Sequence, residues 1–435
     1  MAWGEEAPAP PVPRWDWGFE ATAVTQVAPS FRSPYEGEHS FMNEGSGSPA
    51  TTFVTTLYGA VRLWKGAWIS IQPEFSDGSG VGGGTGIAAY PNVDVLRVPA
   101  IAGKPYIARA FIQQGIPLGE PSEAYEPPPF PESKFLPGGA HLFGVHGAPR
   151  LEITFGKLDV ADIFDTNAFV GDAHHGLTSW GLVNNGAWDF SADTRGYTWG
   201  LTAAYEGTAL SARAGVYMMP TVANGVQLDH DLRNAHAVNA EVEWDFDRER
   251  AGAVRLLGYV NSADMGSYEE ALSLAAASGT TPDIAATREP GRKKYGVGLN
   301  AQYRLTSDLG LFGRLGWNDG RTETFCYTEI DQTAVLGAMQ SGALWKRPDD
   351  DVSLAVVASG ISGVHKQYLA AGGLGFQLGD GRLSYAPEIA TEFDYAAKLT
   401  GGVSAGLDVQ YVVNPGFNRD RGPVVVFGVR LHAHF

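Results

Sequence analysis

The sequence is poor in the residues that mark several large protein classes. Cys326 is the single cysteine among 435 residues, which excludes a disulfide framework and a thiolate metal cluster. Charged residues make up 18%, below the ~25% usual in soluble domains. Basic residues are the scarcer sign: 31 Lys and Arg against 48 Asp and Glu leave a net charge of −17. That balance argues against nucleic acid as a partner, because phosphates are gripped by a cationic face. No stretch approaches the ~18 consecutive apolar residues of a membrane-spanning helix, which excludes a helical-bundle membrane protein. A membrane β-barrel is not excluded, since its alternating strands escape hydropathy averaging. Residues 1–14 carry neither a basic n-region nor an apolar h-region, so no signal peptide is visible and an exported chain would start here in mature form. HExxH and CxxC patterns are missing too, and there is no GxSxG elbow or P-loop in a strand–helix context. No enzyme, cofactor or metal site is therefore expected from motifs.

Glycine, aromatics and alternation are what the chain has. Glycine reaches 56 of 435 residues, nearly twice the usual ~7%, and aromatics reach 11%. From Trp15 onward apolar and polar residues alternate with period two: Trp15, Trp17, Phe19, Ala21 and Ala23 against Asp16, Gly18, Glu20 and Thr22. Such a segment is a strand with one apolar and one polar face. The pattern recurs to the C-terminus in sixteen candidate strands, the weakest near Tyr327 to Met339. In the last, Phe427, Val429, Leu431, Ala433 and Phe435 share a face opposite Gly428, Arg430, His432 and His434. A terminal aromatic in an alternating strand has no particular role in a soluble sandwich, but such a strand can close a membrane barrel and remove its free edge.

Connections alternate between short turns, such as Lys65-Gly66 and Glu206-Gly207, and long loops, such as 76–103, 158–194 and 262–291. This is the layout of an all-β, 16-stranded antiparallel transmembrane β-barrel with short periplasmic turns and long extracellular loops. The expected organisation is a Pro-rich periplasmic arm, 1–14, ahead of a barrel domain, 15–435. Residues 116–149 form a Pro-rich insertion that parity places among the periplasmic turns. Helical spots at Tyr268 to Ala277 and Val364 to Ala371 fall inside long loops.

If the apolar faces meet lipid, the opposite faces line the lumen. Inward positions by parity include Arg109, Arg213, Arg255, Arg314, Glu241 and Asp408. Guanidinium and carboxylate groups bind hydroxyls in pairs, which suits a sugar; the plainer reading is that they pair with one another and keep the interior wet. The acidic run Asp159, Asp162, Asp165, Asn167 and Asp172 lacks EF-hand spacing, and His174-His175 has no supporting zinc motif.

Residues 155–201 (FGKLDVADIFDTNAFVGDAHHGLTSWGLVNNGAWDFSADTRGYTWGL) resemble the carbohydrate-selective outer-membrane porins of the OprB type. Further likeness lies in 213–231, 254–271, 347–373 and the terminal NPGFNRDRGPVVVFGVRLHAHF. The resemblance implies passive diffusion of glucose or related sugars through a charged lumen. It also implies a third outer loop, here 158–194, that folds inward and brings Asp162, Asp165, Asn167, Asn184, Asn185 and Trp188 toward the constriction. Substrate contacts are then expected at Arg109, Arg213, Arg255, Arg314, Glu241, Asp408, Asn167 and Trp188. Expected partners are carbohydrate substrates, outer-membrane lipid and lipopolysaccharide, with a homotrimer as candidate assembly and a periplasmic contact through the arm. A non-selective porin, a barrel lipase and a scaffold barrel are the rival readings.

Overall fold

The computed structural model describes residues 14–43, 47–95, 103–118, 149–171 and 173–435. Most of the Pro-rich arm and of the 116–149 insertion lies outside the described residues. The strands run β1 (Trp15–Val27), β2 (Ala50–Trp64), β3 (Ala67–Gly78), β4 (Tyr106–Pro117) and β5 (Arg150–Leu158). Next come β6 (Thr198–Glu206), β7 (Leu210–Met218), β8 (His236–Asp247), β9 (Gly252–Met265) and β10 (Glu289–Arg304). The last six are β11 (Leu309–Asn318), β12 (Gln332–Ser341), β13 (Asp351–Gly360), β14 (Glu388–Thr400), β15 (Val403–Val413) and β16 (Val424–His434). Each pairs antiparallel with its chain neighbours, and β16 returns to pair with β1.

The seam runs from Val27 opposite Phe427 to Glu20 opposite His434. One step further, Phe435 N donates to Phe19 O at 2.9 Å and Phe19 N donates to Phe435 O at 3.0 Å. Their rings stack with centroids 6.4 Å apart. The closed ladder leaves no strand edge exposed to lipid, where an unpaired amide would cost several kcal/mol.

Burial inverts the soluble pattern. In β5, Leu151, Ile153 and Phe155 point out and are exposed, while Glu152 and Thr154 are buried. In β16, Phe427, Val429 and Leu431 are exposed and Arg430 and His432 are buried. A soluble protein rarely exposes apolar patches beyond a few hundred Å²; a belt of such residues on every strand is a lipid-facing surface. The weak twelfth segment starts later than its alternation suggests. Tyr327 to Asp331 turn into the barrel, where all five are buried, and pairing begins at Gln332.

Connections 28–49, 79–105, 159–197, 219–235, 266–288, 319–331, 361–387 and 414–423 lie at one end. The short turns, the facing ends of β4 and β5, the start of β1 and the end of β16 lie at the other. Helices Tyr268–Ser278 and Gly363–Ala370 pack together over the long-loop end, Tyr268 meeting Tyr368 at 5.0 Å and His365 at 4.3 Å between centroids.

Loop 159–197 folds into the barrel and makes two apolar contacts with the wall. Phe164, Trp188 and Phe190 pack with Phe111, Tyr217, Leu257 and Tyr259. Leu177, Leu182 and Val183 pack with Phe312, Val335, Val357 and Val426. Wall glycines receive it. A methyl at Gly316 would lie 2.0 Å from Asn185 Oδ1, and one at Gly310 would lie 2.2 Å from Phe169 Cδ1.

Leu336, 67% exposed in mid-β12, and Leu344, 76% exposed in the following short turn, separate the two environments. Leu336→Arg is expected to cost about 2–4 kcal/mol in reversible denaturant unfolding from lipid bilayers, and Leu344→Arg at most about 1 kcal/mol. Equal costs at the two positions would remove the lipid-facing assignment.

Candidate functional site

The inward loop, the β1–β4 wall and residues of three further loops line a cavity of about 190 Å³. Part of the lining is charged. Arg109, on β4, donates from Nε to Asp162 Oδ2 at 2.6 Å and from a terminal nitrogen to Oδ1 at 2.8 Å, a bidentate pair. Asp159 lies 3.7 Å from the same guanidinium, which also sits 5.1 Å from the Tyr197 ring centroid. Tyr197 Oη donates to Glu74 at 2.8 Å, and Arg195 covers Tyr106 at 4.9 Å. Another part is aromatic. Trp180 and Tyr327 stack at 4.8 Å with their planes 12° apart, and Phe190 meets Tyr327 at 4.5 Å. All of these except Tyr106 line the cavity. A flat aromatic face and paired hydrogen-bonding groups in one lining suit a ring with apolar faces and a polar rim.

Of the eight site residues expected from sequence, Arg109 lines this cavity. The other seven are buried against the loop or the wall. Asp165 is the hub. Its backbone N donates to Glu241 at 2.8 Å, its carboxylate lies 2.9 Å from Arg314 Nε, and it accepts from Asn185 N at 2.8 Å. Arg314 also donates to Leu182 O at 2.9 Å. Asn300 donates to Asp165, and Asn167 in turn donates to Asn300 at 2.8 Å. Glu241 is shared with Arg213, which contacts Glu206, Glu241 and Glu243 at 2.7–2.9 Å. Arg255 meets Glu243 at 2.6 Å and Gln302 at 3.0 Å. Trp188 donates from Nε1 to Asn239 at 3.2 Å inside the first apolar cluster. Asp408 accepts from Gln410, which also donates to loop residues Pro91 and Thr178. Inward-pointing strand positions are therefore of two kinds: one group faces the cavity, the other fastens the loop.

Electrostatics in the loop follow burial. Burial pushes the Asp193 carboxyl above its ordinary value against the pull of Lys157, 3.8 Å away, and raises the Tyr327 hydroxyl and Cys326 thiol well above theirs. For His174 burial disfavours the charged ring, but hydrogen bonds to Asp94 and Glu20 outweigh it and hold the pKa well above the usual imidazole value. The acidic run is spent on arginines: Asp159 and Asp162 face Arg109 and Asp165 faces Arg314.

Sequence reasoning overlooked Trp180, Tyr327, Phe190 and Arg195. Trp180 and Tyr327 are far apart in the chain and lie in different loops, so no local pattern links them.

Among curated proteins no sequence matches significantly. Among solved structures, the chain is similar to the OprB of Pseudomonas putida in its high-pH structure, with a TM-score of 0.69 and 14% identity over 97% of this chain and 94% of that one. It is also similar to the outer membrane channel DcaP of Acinetobacter baumannii, with a TM-score of 0.52 and 9% identity over 97% of both chains. These likenesses speak to the fold, a porin-type barrel. A family model matches residues 51–435, nearly the whole sheet from β2 to the closing strand. The chain is an outer-membrane barrel that belongs to the carbohydrate-selective porin, OprB family.

Proposed function

We propose that neutral sugars diffuse passively through this barrel by way of the cavity lined by Arg109, Asp162, Trp180 and Tyr327. The observation that carries the reading is the presence of a bidentate ion pair and a stacked aromatic pair in the lining of one lumenal cavity. A hydroxyl entering there accepts from the guanidinium and donates to the carboxylate in place of water, while the ring face lies on the indole. Both charges already have partners, so the sugar gains only the difference between its hydrogen bonds and those of water. That keeps binding weak, as conduction requires. No bond to the sugar is made or broken.

In this reading the long loops face the exterior, and the short turns and both termini face the periplasm, the usual arrangement of such barrels. Arg213, Arg255, Arg314, Glu241, Asp408, Asn167 and Trp188 act by holding loop 159–197 at its depth in the lumen, and so set the cavity's width.

Single-channel recording in planar bilayers tests the pathway. Glucose is expected to reduce the ion current, with Arg109→Ala weakening that effect by about 1.5–3 kcal/mol, the worth of a hydrogen bond to a charged group, and Trp180→Ala weakening it several-fold. A non-conducting barrel would sink the proposal, and conduction indifferent to every sugar would reduce the protein to a general pore.

The holding role makes a separate prediction. Arg314→Met leaves Asp165 buried without its cation, a loss of about 3–5 kcal/mol that falls on loop docking rather than on the sheet. Expected results are a noisier and larger open-channel current and protease cleavage within 159–197, with the β-sheet circular dichroism retained. Unchanged noise and continued protection would remove Arg314 from that role.

A further inference from the structure

Three imidazoles converge where the inward loop meets the last strand. His432 and His434 are two residues apart on β16, so strand periodicity puts both on the lumenal face. His175 comes from the loop. A ligand nitrogen of each lies within 4.8 Å of the others. His175 stands over His432 with ring centroids 4.0 Å apart, and lies 5.8 Å from His434. The approach is held by Arg430, one strand step above His432, which donates to His175 O at 2.8 Å and is itself paired with Asp394 at 3.1 Å.

We propose that His175, His432 and His434 form a binding site for a transition-metal dication of the Zn²⁺ class, tying the inward loop to the closing strand. The donor set is all imidazole, which selects Zn²⁺, Cu²⁺ or Ni²⁺ over the oxygen-seeking Mg²⁺ and Ca²⁺. Three histidines with water in the fourth place make a familiar tetrahedral zinc shell. Zn–N bonds of ~2.0–2.1 Å put ligand nitrogens roughly 3.3 Å apart, so ring rotations that move the nitrogens by about an ångström assemble the shell. Thr22 Oγ1 lies 2.8 Å from His432 Nδ1. An oxygen at one ring nitrogen is the usual companion of a metal-ligating imidazole, whose other nitrogen carries the metal. His174 is not a ligand: its two nitrogens lie 3.6 Å from Glu20 and 3.7 Å from Asp94. His434 is partly exposed near the short-turn end of β16, which gives the ion a route in. The metal would bridge positions more than two hundred residues apart and clamp the loop ten residues beyond its Asp165 anchor.

The test is isothermal titration of ZnCl₂ into the full-length, EDTA-stripped barrel in detergent. One ion per chain is expected to bind, at least ~10-fold more weakly in His175→Gln and His434→Gln and unchanged in His230→Gln, whose side chain is exposed in another loop. Excess MgCl₂ is expected not to compete. Heat-modifiable gel mobility checks that each variant is folded; if His175→Gln fails that check, His434→Gln, near the end of its strand, decides. The assignment is overturned by the absence of saturable binding, by full-strength binding in a folded His434→Gln variant, or by displacement with Mg²⁺, which would mark a carboxylate site.

Discussion

Hydrocarbon offers no hydrogen bonds, so every backbone amide that faces lipid must find its partner within the sheet. Closure of β16 onto β1 answers that demand, and the rest of the architecture follows from it. A closed sheet in lipid must turn its apolar side chains outward, which leaves a polar interior to be filled or wetted. The long connections are what fill it. Loop 159–197 enters a lumen whose wall already carries arginines, glutamates and asparagines, and its own acids and carbonyls meet them.

The loop is held by two mechanisms of different character. Its apolar residues pack into clusters on two sides of the wall, giving non-directional adhesion. Asp165 supplies direction through Glu241, Arg314, Asn185 and Asn300. Buried ion pairs are poor sources of net stability, because desolvation offsets much of the Coulomb attraction. Their strength is that misplacement strands a charge, so a network of this kind selects one loop position among many that hydrophobic contact alone would tolerate. With the loop so fixed, Asp162 arrives at Arg109 and Trp180 at Tyr327, and the cavity takes its shape.

Much of the barrel was legible in the sequence because strand alternation is local: a few residues such as Leu151, Ile153 and Phe155 reveal their own face. The exception, β12, was blurred because Tyr327 to Asp331 continue the apolar pattern while belonging to an inward turn. The inward direction of Arg109, Arg213, Arg255 and Arg314 was legible for the same reason. What each arginine faces was not. Arg314 meets Asp165 and Asn167 meets Asn300 across separations of more than a hundred residues, and parity says nothing about partners brought in by a loop. The histidines were split in the same way: His174-His175 looked like an unsupported pair until the fold set His175 beside His432 and His434.

The glycines of the wall acquire a further meaning from Gly316 and Gly310. They are seats, hollows one methyl deep into which Asn185 and Phe169 fit. Asn185 is also bonded to Asp165, three residues beyond the Asp162 that meets Arg109. The bore of this channel is therefore indexed from the wall as much as from the loop. A change of one small residue on a strand can re-gauge the passage while every amino acid that a solute touches stays the same.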